Sequence, residues 1–483
     1  MGTVDRHTTS SSEFTFNVAL NSGPFIVLLL FLLLGIGASA VYGASFRIMD
    51  QGAAAAGQSD AFTAQADDPS AIHYNPAGMM QLRRVQTYLG TNLVGGSTSF
   101  RNGAGQTARG DFAGSVASPP PSNVYITANL RNLGVSAPIL GNMAVGIGLT
   151  FPFGTVYRWP NSGPFATATT GAALQLLDIK PTVAYKLNDH LSFGLGLDIY
   201  TFSSFIGHGQ YEQRLLSSGG PGLPPGGASL EINGKDTALG FNVSALYTAL
   251  VNADGKPLAN IGVIYRSQAT LHLGGEFIAA GTSLSPASTT LVLPQILTGG
   301  IALWPIRNQD RDWKLELDVD YTGWKSVRNL DVHLSPALGT IPFPQNYRSG
   351  FTIMVGTEHK WLHPEMLPNW EIALRGGYWH SQAPTPDSAF NPSVPDADNH
   401  SISVGLGFLC KDGGRFLGLI ECRSSEKLGF MTQAIGLDMA YKALLYETRT
   451  VSGNANPIAI PGSVNGTYQT TYHIGSINLR VNF

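Results

Sequence analysis

ASFRIMDQGAAAAGQSDAFTAQADDPSAIHYNPAG (Ala44–Gly78) follows an apolar export-type segment and precedes a long series of alternating stretches, so it reads as a plug placed before a barrel. Upstream, Phe25–Ile36 (FIVLLLFLLLGI) is an apolar run followed by small residues at Gly37, Ala38, Ser39 and Ala40. That run is too short to span a bilayer and has the flanks of a secretory signal. Cleavage fits after Ala40 or after Gly43, the second being preferred. The region before the run carries Asp5, Arg6 and Glu13 and lacks the usual positive bias, so the natural start belongs nearer the apolar run. The expected division is a signal peptide over 1–43, a hatch over 44–83 and a transmembrane barrel over 84–483.

Composition narrows the class. Only 13% of the 483 residues are charged, 10% are aromatic, 57 are Gly and the net charge is −3. A soluble chain usually carries about twice that charged fraction. Yet mean hydropathy is only +0.05, and no run past the signal reaches the ~20 apolar residues of a spanning helix. Low charge without apolar helices is what an outer-membrane β-barrel shows, because lipid-facing and lumen-facing residues alternate and average out. The near-neutral balance argues against a nucleic-acid partner, which calls for a basic patch.

Trp313–Thr322 (WKLELDVDYT) displays the alternation most clearly. Trp313, Leu315, Leu317, Val319 and Tyr321 share one face, and Lys314, Glu316, Asp318, Asp320 and Thr322 share the other. In a barrel the second set lines a solvated lumen. After Gly78, fourteen such segments are expected, near 84–100, 122–131, 142–159, 172–187, 191–214, 236–250, 259–278, 291–305, 313–334, 346–361, 369–381, 400–410, 431–451 and 470–483. Connections alternate between short polar ones, such as 186–190 and 307–312, and long ones rich in Gly, Pro, Ser or Asn, such as 215–235 and 382–399. The short ones are expected on the periplasmic side. The chain ends INLRVNF, alternating up to a terminal aromatic, as a closing strand would; closure removes edges that hydrocarbon cannot hydrate. The fold class is therefore all-β, a fourteen-stranded antiparallel transmembrane barrel plugged by a small N-terminal helical hatch.

Several local matches in order resemble the FadL/TodX-type family of outer-membrane transporters for long-chain fatty acids and hydrocarbons. The plug ends in Asn75-Pro76-Ala77, like that family's NPA motif, preceded by Ala66-Asp67-Asp68; Pro152-Phe153-Gly154 is similar to its PFG in a kinked third strand. YKLNDHLSFGLGLD (185–198), VIYRSQ (263–268), LPQILTGGIAL (293–303), DYTGWKSV (320–327) and APTPDSAFNPSVPDADNH (383–400) are also similar to family segments. The resemblance implies passive transport through pocket binding, hatch rearrangement and lateral release at the kink, with a hydrophobic small molecule as ligand. It also implies contact with outer-membrane lipid and lipopolysaccharide, a monomer, and no cofactor. Residue features fit these roles. Pro152 lacks an N–H and belongs at an edge or bulge, and Gly154 lets the backbone turn. Gly52–Ala66 suits a short helix, Asp68-Pro69-Ser70 resembles a helix start, and Phe46 is the candidate ligand contact, with anchoring to the wall as its alternative. Arg158, Arg214, Arg266 and Lys325 are available for a ligand carboxylate.

Other classes leave their own marks. There is no G-x-S-x-G elbow, no phosphate loop and no H-E-x-x-H zinc motif, so neither catalytic residues nor a metal site is expected, and an outer-membrane lipid hydrolase is disfavoured. His359 and His363 sit at a strand end and turn, where helical i, i+4 ligation is lost. A general porin would not place about forty residues before its first strand, and an adhesin or phage receptor could coexist with transport. Cys410 and Cys422, the two cysteines, flank one short stretch (CKDGGRFLGLIEC). In an exported chain they are expected to pair, with free thiols as the alternative; the turn they bracket is longer than the family's.

Overall fold

The computed structural model describes residues 45–112, 114, 116–204, 209–219, 224–423, 432–457 and 459–483; the expected signal peptide over 1–43 lies outside them. The barrel strands are β1 (Val85–Arg101), β2 (Ser122–Asn129), β3 (Met143–Arg158), β4 (Gly171–Lys186), β5 (Leu191–Thr201), β6 (Ala238–Val251) and β7 (Pro257–Arg266). They continue as β8 (Ile296–Arg307), β9 (Arg311–Thr322), β10 (Gly350–Trp361), β11 (Trp370–Ser381), β12 (Asn399–Cys410), β13 (Ala434–Tyr446) and β14 (Gly466–Asn482). Each pairs antiparallel with the next, and β1 closes on β14 in unbroken register from Gln86↔Asn482 to Arg101↔Thr467. The result is a closed fourteen-stranded barrel.

Period-two burial runs along the strands as alternation predicts. On β9, Leu315 and Val319 are 39% and 40% exposed and face out, whereas Glu316, Asp318 and Asp320 are at most 2% exposed. Two expected segments, 191–214 and 259–278, each contain a barrel strand plus part of an extra hairpin: Tyr211–Leu216 pairs with Ser229–Gly234, and Ala269–Ala279 with Thr282–Leu293. These hairpins join each other at the long-loop end through Phe277↔Ile232. Alternation continues across the breaks, so pattern alone merges what the chain separates.

The lumen is not solvated at β9; it is filled by residues 45–82. One turn of helix, α1 (Ala53–Ala56), is followed by α2 (Ala71–Tyr74) and a 3-10 turn, Pro76–Gln81. The Ala-rich run stops being helical after Ala56 because Ser59 and Asp60 take left-handed φ of 49° and 61°. That reversal brings the Asp60 carboxylate to Lys442 of β13 (2.5 Å) and to the Tyr74 hydroxyl (2.7 Å). The second helix is capped at Ser70, not Asp68, although Asp68 accepts the Ser70 N–H at 2.8 Å. At the NPA stretch, Pro76 begins the 3-10 turn, where a missing N–H costs nothing, and the Asn75 side chain accepts the Ala77 N–H at 3.2 Å.

Carboxylates on β9 hold this insert by its backbone. Asp318 accepts the N–H groups of Phe62 (3.0 Å) and Thr63 (2.9 Å), Glu316 accepts those of Ala64 (2.7 Å) and Gln65 (3.2 Å), and Asp320 takes a two-pronged contact from Arg47 (2.7 and 3.0 Å). Hydrogen bonds to charged groups contribute about 1.5–3 kcal/mol each, and a buried carboxylate left unpaired costs more than it gains. Lys442 also meets Asp50, so one cation ties two points of the insert to β13. The approach is close enough to require glycine at Gly377 of β11, where a Cβ would fall 2.2 Å from the Gln58 carbonyl carbon.

Backbone atoms cannot rotate away from that clash, so Gly377→Val is expected to unseat the insert while the barrel survives: heat-modifiable migration on gels is retained, and ion conductance in planar bilayers rises above wild type. A second expectation concerns pH. Desolvation, opposed by Lys442, pushes the Asp50 carboxyl up to about 6, whereas in water it titrates near ~4. The seated insert thus binds more protons than a displaced one between those values, and its seating strengthens as pH falls through that window. Asp68, also raised to about 6 by burial, acts in the same direction, whereas buried His73, lowered below its ordinary value, opposes them on acidification. Comparison with Asp50→Asn isolates the first effect: the ratio of wild-type to variant protection at α1, read by amide exchange, should grow on the order of tenfold from pH 7 to pH 5.

Candidate functional site

The ladder between β2 and β3 runs only from Asn129↔Ala144 to Val124↔Leu149. The ladder stops at Leu149; continued in the same register, Asn123 and Ser122 and then Pro121-Pro120-Pro119 fall opposite residues 150–154, and the prolines have no N–H groups to resume it. On its other side β3 bulges, with Thr150 opposite Asp178 but Phe153 opposite Leu176, so one extra residue is accommodated at Phe151-Pro152. Pro152 therefore sits at the bulge. Gly154 has no positive φ; what its missing side chain permits is close approach, since a Cβ would lie 2.9 Å from the Leu174 carbonyl oxygen and 3.1 Å from Ile48 Cδ1.

The β3 edge left open by the prolines is occupied from inside. The Ile48 N–H donates to the Pro152 carbonyl and the Gly154 N–H donates to the Phe46 carbonyl, both at 2.9 Å, with Arg47 opposite Phe153 as an antiparallel bridge. Arg47 thus makes an isolated antiparallel bridge to the third strand of the wall, with Ser45 and Phe46 in the turn that leads into it. Phe46 is buried between Phe153 (ring centroids 5.9 Å) and Trp324 (4.9 Å, edge-on).

Two apolar cavities meet at Phe46. The one beside the open edge measures about 150 Å³ and is bounded by Pro119–Pro121, Phe151, Phe153, Trp379 and Tyr472. The other, about 110 Å³, lies under the extra hairpins and the β9–β10 loop and is bounded by Leu273, Leu291, Leu330, Phe343 and Tyr347. Phe46, Thr155, Leu174 and Val394 border both. Asp396 of the β11–β12 loop borders the first; burial pushes its carboxyl up to about 6 against the pull of Arg449.

Asn75, Pro76 and Ala77 do not touch these cavities. They pin the insert to the wall, with the Asn75 side-chain amide donating to the Thr63 (2.8 Å) and Ala245 (3.1 Å) carbonyls, the Ala77 N–H to Ser244 Oγ (3.0 Å), and Ser192 Oγ to the Ala77 carbonyl (2.9 Å). Of the four cations considered for a ligand carboxylate, none borders either cavity: Arg266 is buried against Asp198 (3.3 Å), Arg214 pairs with Glu212 and Glu231, and Arg158 and Lys325 are exposed. The cation that does border the first cavity is Arg47, three residues from Ala44, the mature end favoured by sequence, and held by Asp320. Its sequence signal was the acidic face of β9, which calls for donors once the lumen is filled. Cys410 and Cys422 are joined in a disulfide at the short-turn end, away from both cavities. No group of His, Cys, Asp and Glu among the described residues could hold a metal ion.

The chain is similar to several known proteins. A long-chain fatty acid transport protein of Escherichia coli O6:H1 (strain CFT073) is 23% identical over 379 residues, covering 71% of this chain and 78% of its own, and one of Salmonella typhi is 21% identical over 315 residues, covering 59% and 67%. Among solved structures, a Pseudomonas aeruginosa FadL homologue superposes with a TM-score of 0.67 at 18% identity, covering 91% of this chain and all of its own. The Ralstonia pickettii toluene transporter TbuX does so with 0.57 at 15%, covering 90% and 100%. Residues 34–413 match the family model for outer membrane protein transport proteins (OMPP1/FadL/TodX), and with its closed fourteen-stranded outer-membrane barrel the chain belongs to that family.

Proposed function

We propose that this protein admits hydrophobic compounds, fatty acids or hydrocarbons, passively across the outer membrane and releases them sideways into the bilayer. The observation that carries this reading is the Ser45–Ile48 segment, which bridges to β3 through two backbone hydrogen bonds at the point where Phe46 divides the two apolar cavities. Ligand entering from the long-loop end would fill the outer cavity, displace Phe46 and pass to the cavity behind Pro119–Pro121. Parting Ile48 and Phe46 from β3 breaks two backbone hydrogen bonds, each worth about 1 kcal/mol net. Each methylene favours an apolar phase by ~0.8 kcal/mol, so a dry route ending in lipid spares the ligand a passage through water.

In this reading residues 1–43 are the removed signal, 44–83 the hatch and 84–483 the barrel; Phe46 contacts ligand, Asn75-Pro76-Ala77 fix the hatch body, and Pro152-Phe153-Gly154 form the gate. The protein works as a monomer surrounded by lipid and lipopolysaccharide, without enzymatic turnover. The insert filling the lumen favours this over a general porin. A carboxylate ligand would compete with Asp320 for Arg47, whereas a neutral hydrocarbon has no such contact to make.

A reversible staple tests the gate. Arg47 and Phe153 form a non-hydrogen-bonded antiparallel pair, the spacing a disulfide spans. Liposomes with lipopolysaccharide in the outer leaflet and holding Arg47→Cys/Phe153→Cys are expected to take up labelled oleate and labelled toluene no faster than protein-free ones until reductant is added, with reduced wild type as the control for Cys410–Cys422. Uptake by the oxidised staple equal to wild type would reject lateral release. Wild type distinguishes the ligand classes directly, and entry of small polar solutes at comparable rates would point to a porin.

A further inference from the structure

The disulfide-bearing turn between β12 and β13 ends in a feature that transport does not use. Gly414–Phe416 and Ile420–Cys422 form a two-stranded hairpin separate from the barrel sheet. Its tip is closed by the Leu419 N–H donating to the Phe416 carbonyl at 3.0 Å, with Leu417 and Gly418 both at positive φ, 51° and 73°. Such turns favour Asn-Gly or Gly-Gly, and a branched apolar residue in left-handed φ is strained. Leucine nevertheless occupies the position, 79% exposed, beside Leu419 at 86% and Ile420 at 49%.

Where the hairpin leans identifies what meets those side chains. On β12, Ile402, Val404 and Leu406 face lipid, and continuing by twos along that face reaches Phe408 and Cys410. Trp370, directly opposite Cys410, begins the lipid face of β11, which continues through Leu374 to Tyr378. Cys410, Cys422 and Ile435 pack together, with Trp370 and Phe416 against them, and the Trp370 and Phe416 rings lie 6.1 Å apart. The Cys410–Cys422 bond thus pins the hairpin to the outside of the barrel, at the short-turn rim of its lipid-facing band.

We propose that this hairpin is a lipid anchor: Leu417, Leu419 and Ile420 insert into the acyl region of the inner, phospholipid leaflet. Continuity with the lipid-facing wall selects this occupant, because the hairpin's base already covers side chains of that wall. Trp370 marks the interface level, where aromatic girdles lie, and Arg415 on the first hairpin strand, opposite Glu421, and Arg423 just past the second, paired with Glu421 at 3.2 Å, are placed to remain among headgroups. The strain at Leu417 is what an apolar tip in a tight turn entails, and insertion gives that side chain a partner.

Photocross-linking in purified components tests the anchor. Full-length protein carrying Leu419→p-benzoylphenylalanine is reconstituted into phosphatidylethanolamine–phosphatidylglycerol vesicles, with Asp254→p-benzoylphenylalanine, in the exposed β6–β7 turn at the same end, as control. After illumination, phospholipid adducts read by mass spectrometry are expected at 419 several-fold above 254, and to fall towards the control once the disulfide is reduced and alkylated. Heat-modifiable migration checks that both variants are folded. Adducts at 419 no more frequent than at 254 would overturn the anchor. So would illumination of intact cells yielding one protein adduct at 419 and no lipid, which would instead identify a periplasmic protein as the partner.

Discussion

Buried carboxylates on one strand govern how this barrel is built inside. Glu316, Asp318 and Asp320 point into a lumen that the chain fills, and their desolvation is offset by backbone N–H groups of Phe62, Thr63, Ala64 and Gln65 and the Arg47 guanidinium from the insert, together with Lys314, Thr298 and Thr322 from the wall. Using main-chain donors has a geometric corollary. Backbone must come within hydrogen-bonding distance of the wall, so the insert is made of small residues and the wall carries glycine where the two touch, as at Gly377. Lys442 repeats the logic with opposite sign, serving Asp50 and Asp60 from β13.

A second constraint arises where the sheet fails. Three prolines cannot continue the β2 side of the ladder, and a bulge at Phe151-Pro152 shifts β3 against β4, so the upper part of β3 is short of backbone partners on one side. Unpaired strand edges facing hydrocarbon are costly. Here the N-terminal segment supplies the missing pairing from within, and it does so with the residues that carry the aromatic divider, Phe46, and the cavity's cation, Arg47. Wall pairing and cavity shape therefore meet in one four-residue segment, 45–48.

How much of this was legible in the sequence depended on whether a local pattern carried the information. WKLELDVDYT displays its two faces because period two is a local property, and the fourteen barrel strands follow from the same signal. The first strands of the extra hairpins were merged into the expected segments 191–214 and 259–278, and most of their second strands were read as long loop, because alternation does not report which partner a strand pairs with. The acidic face was visible but assigned to water, since nothing local says that another segment will fill the lumen. Gly154 was read as a turn residue when its role is close approach, a distinction that requires the neighbouring Leu174 and Ile48. Asn75-Pro76-Ala77 was recognisable as a motif, and its pinning of the insert rests on contacts about 115–170 positions away.

The unequal attachment of the insert divides it into two mechanical parts. Its leading segment is held by two backbone hydrogen bonds to β3 and the Arg47–Asp320 pair, whereas the body behind it is fastened to several strands by a larger set of buried ion pairs and carboxylate contacts and by the Asn75 and Ala77 contacts. A force or ligand that parts the first leaves the second seated, because the energies differ by several such interactions. An opening made this way leads from the interior to the side of the barrel and never along its axis. A cell relying on it would keep its permeability barrier to antibiotics and bile salts at full strength while its apolar nutrients pass.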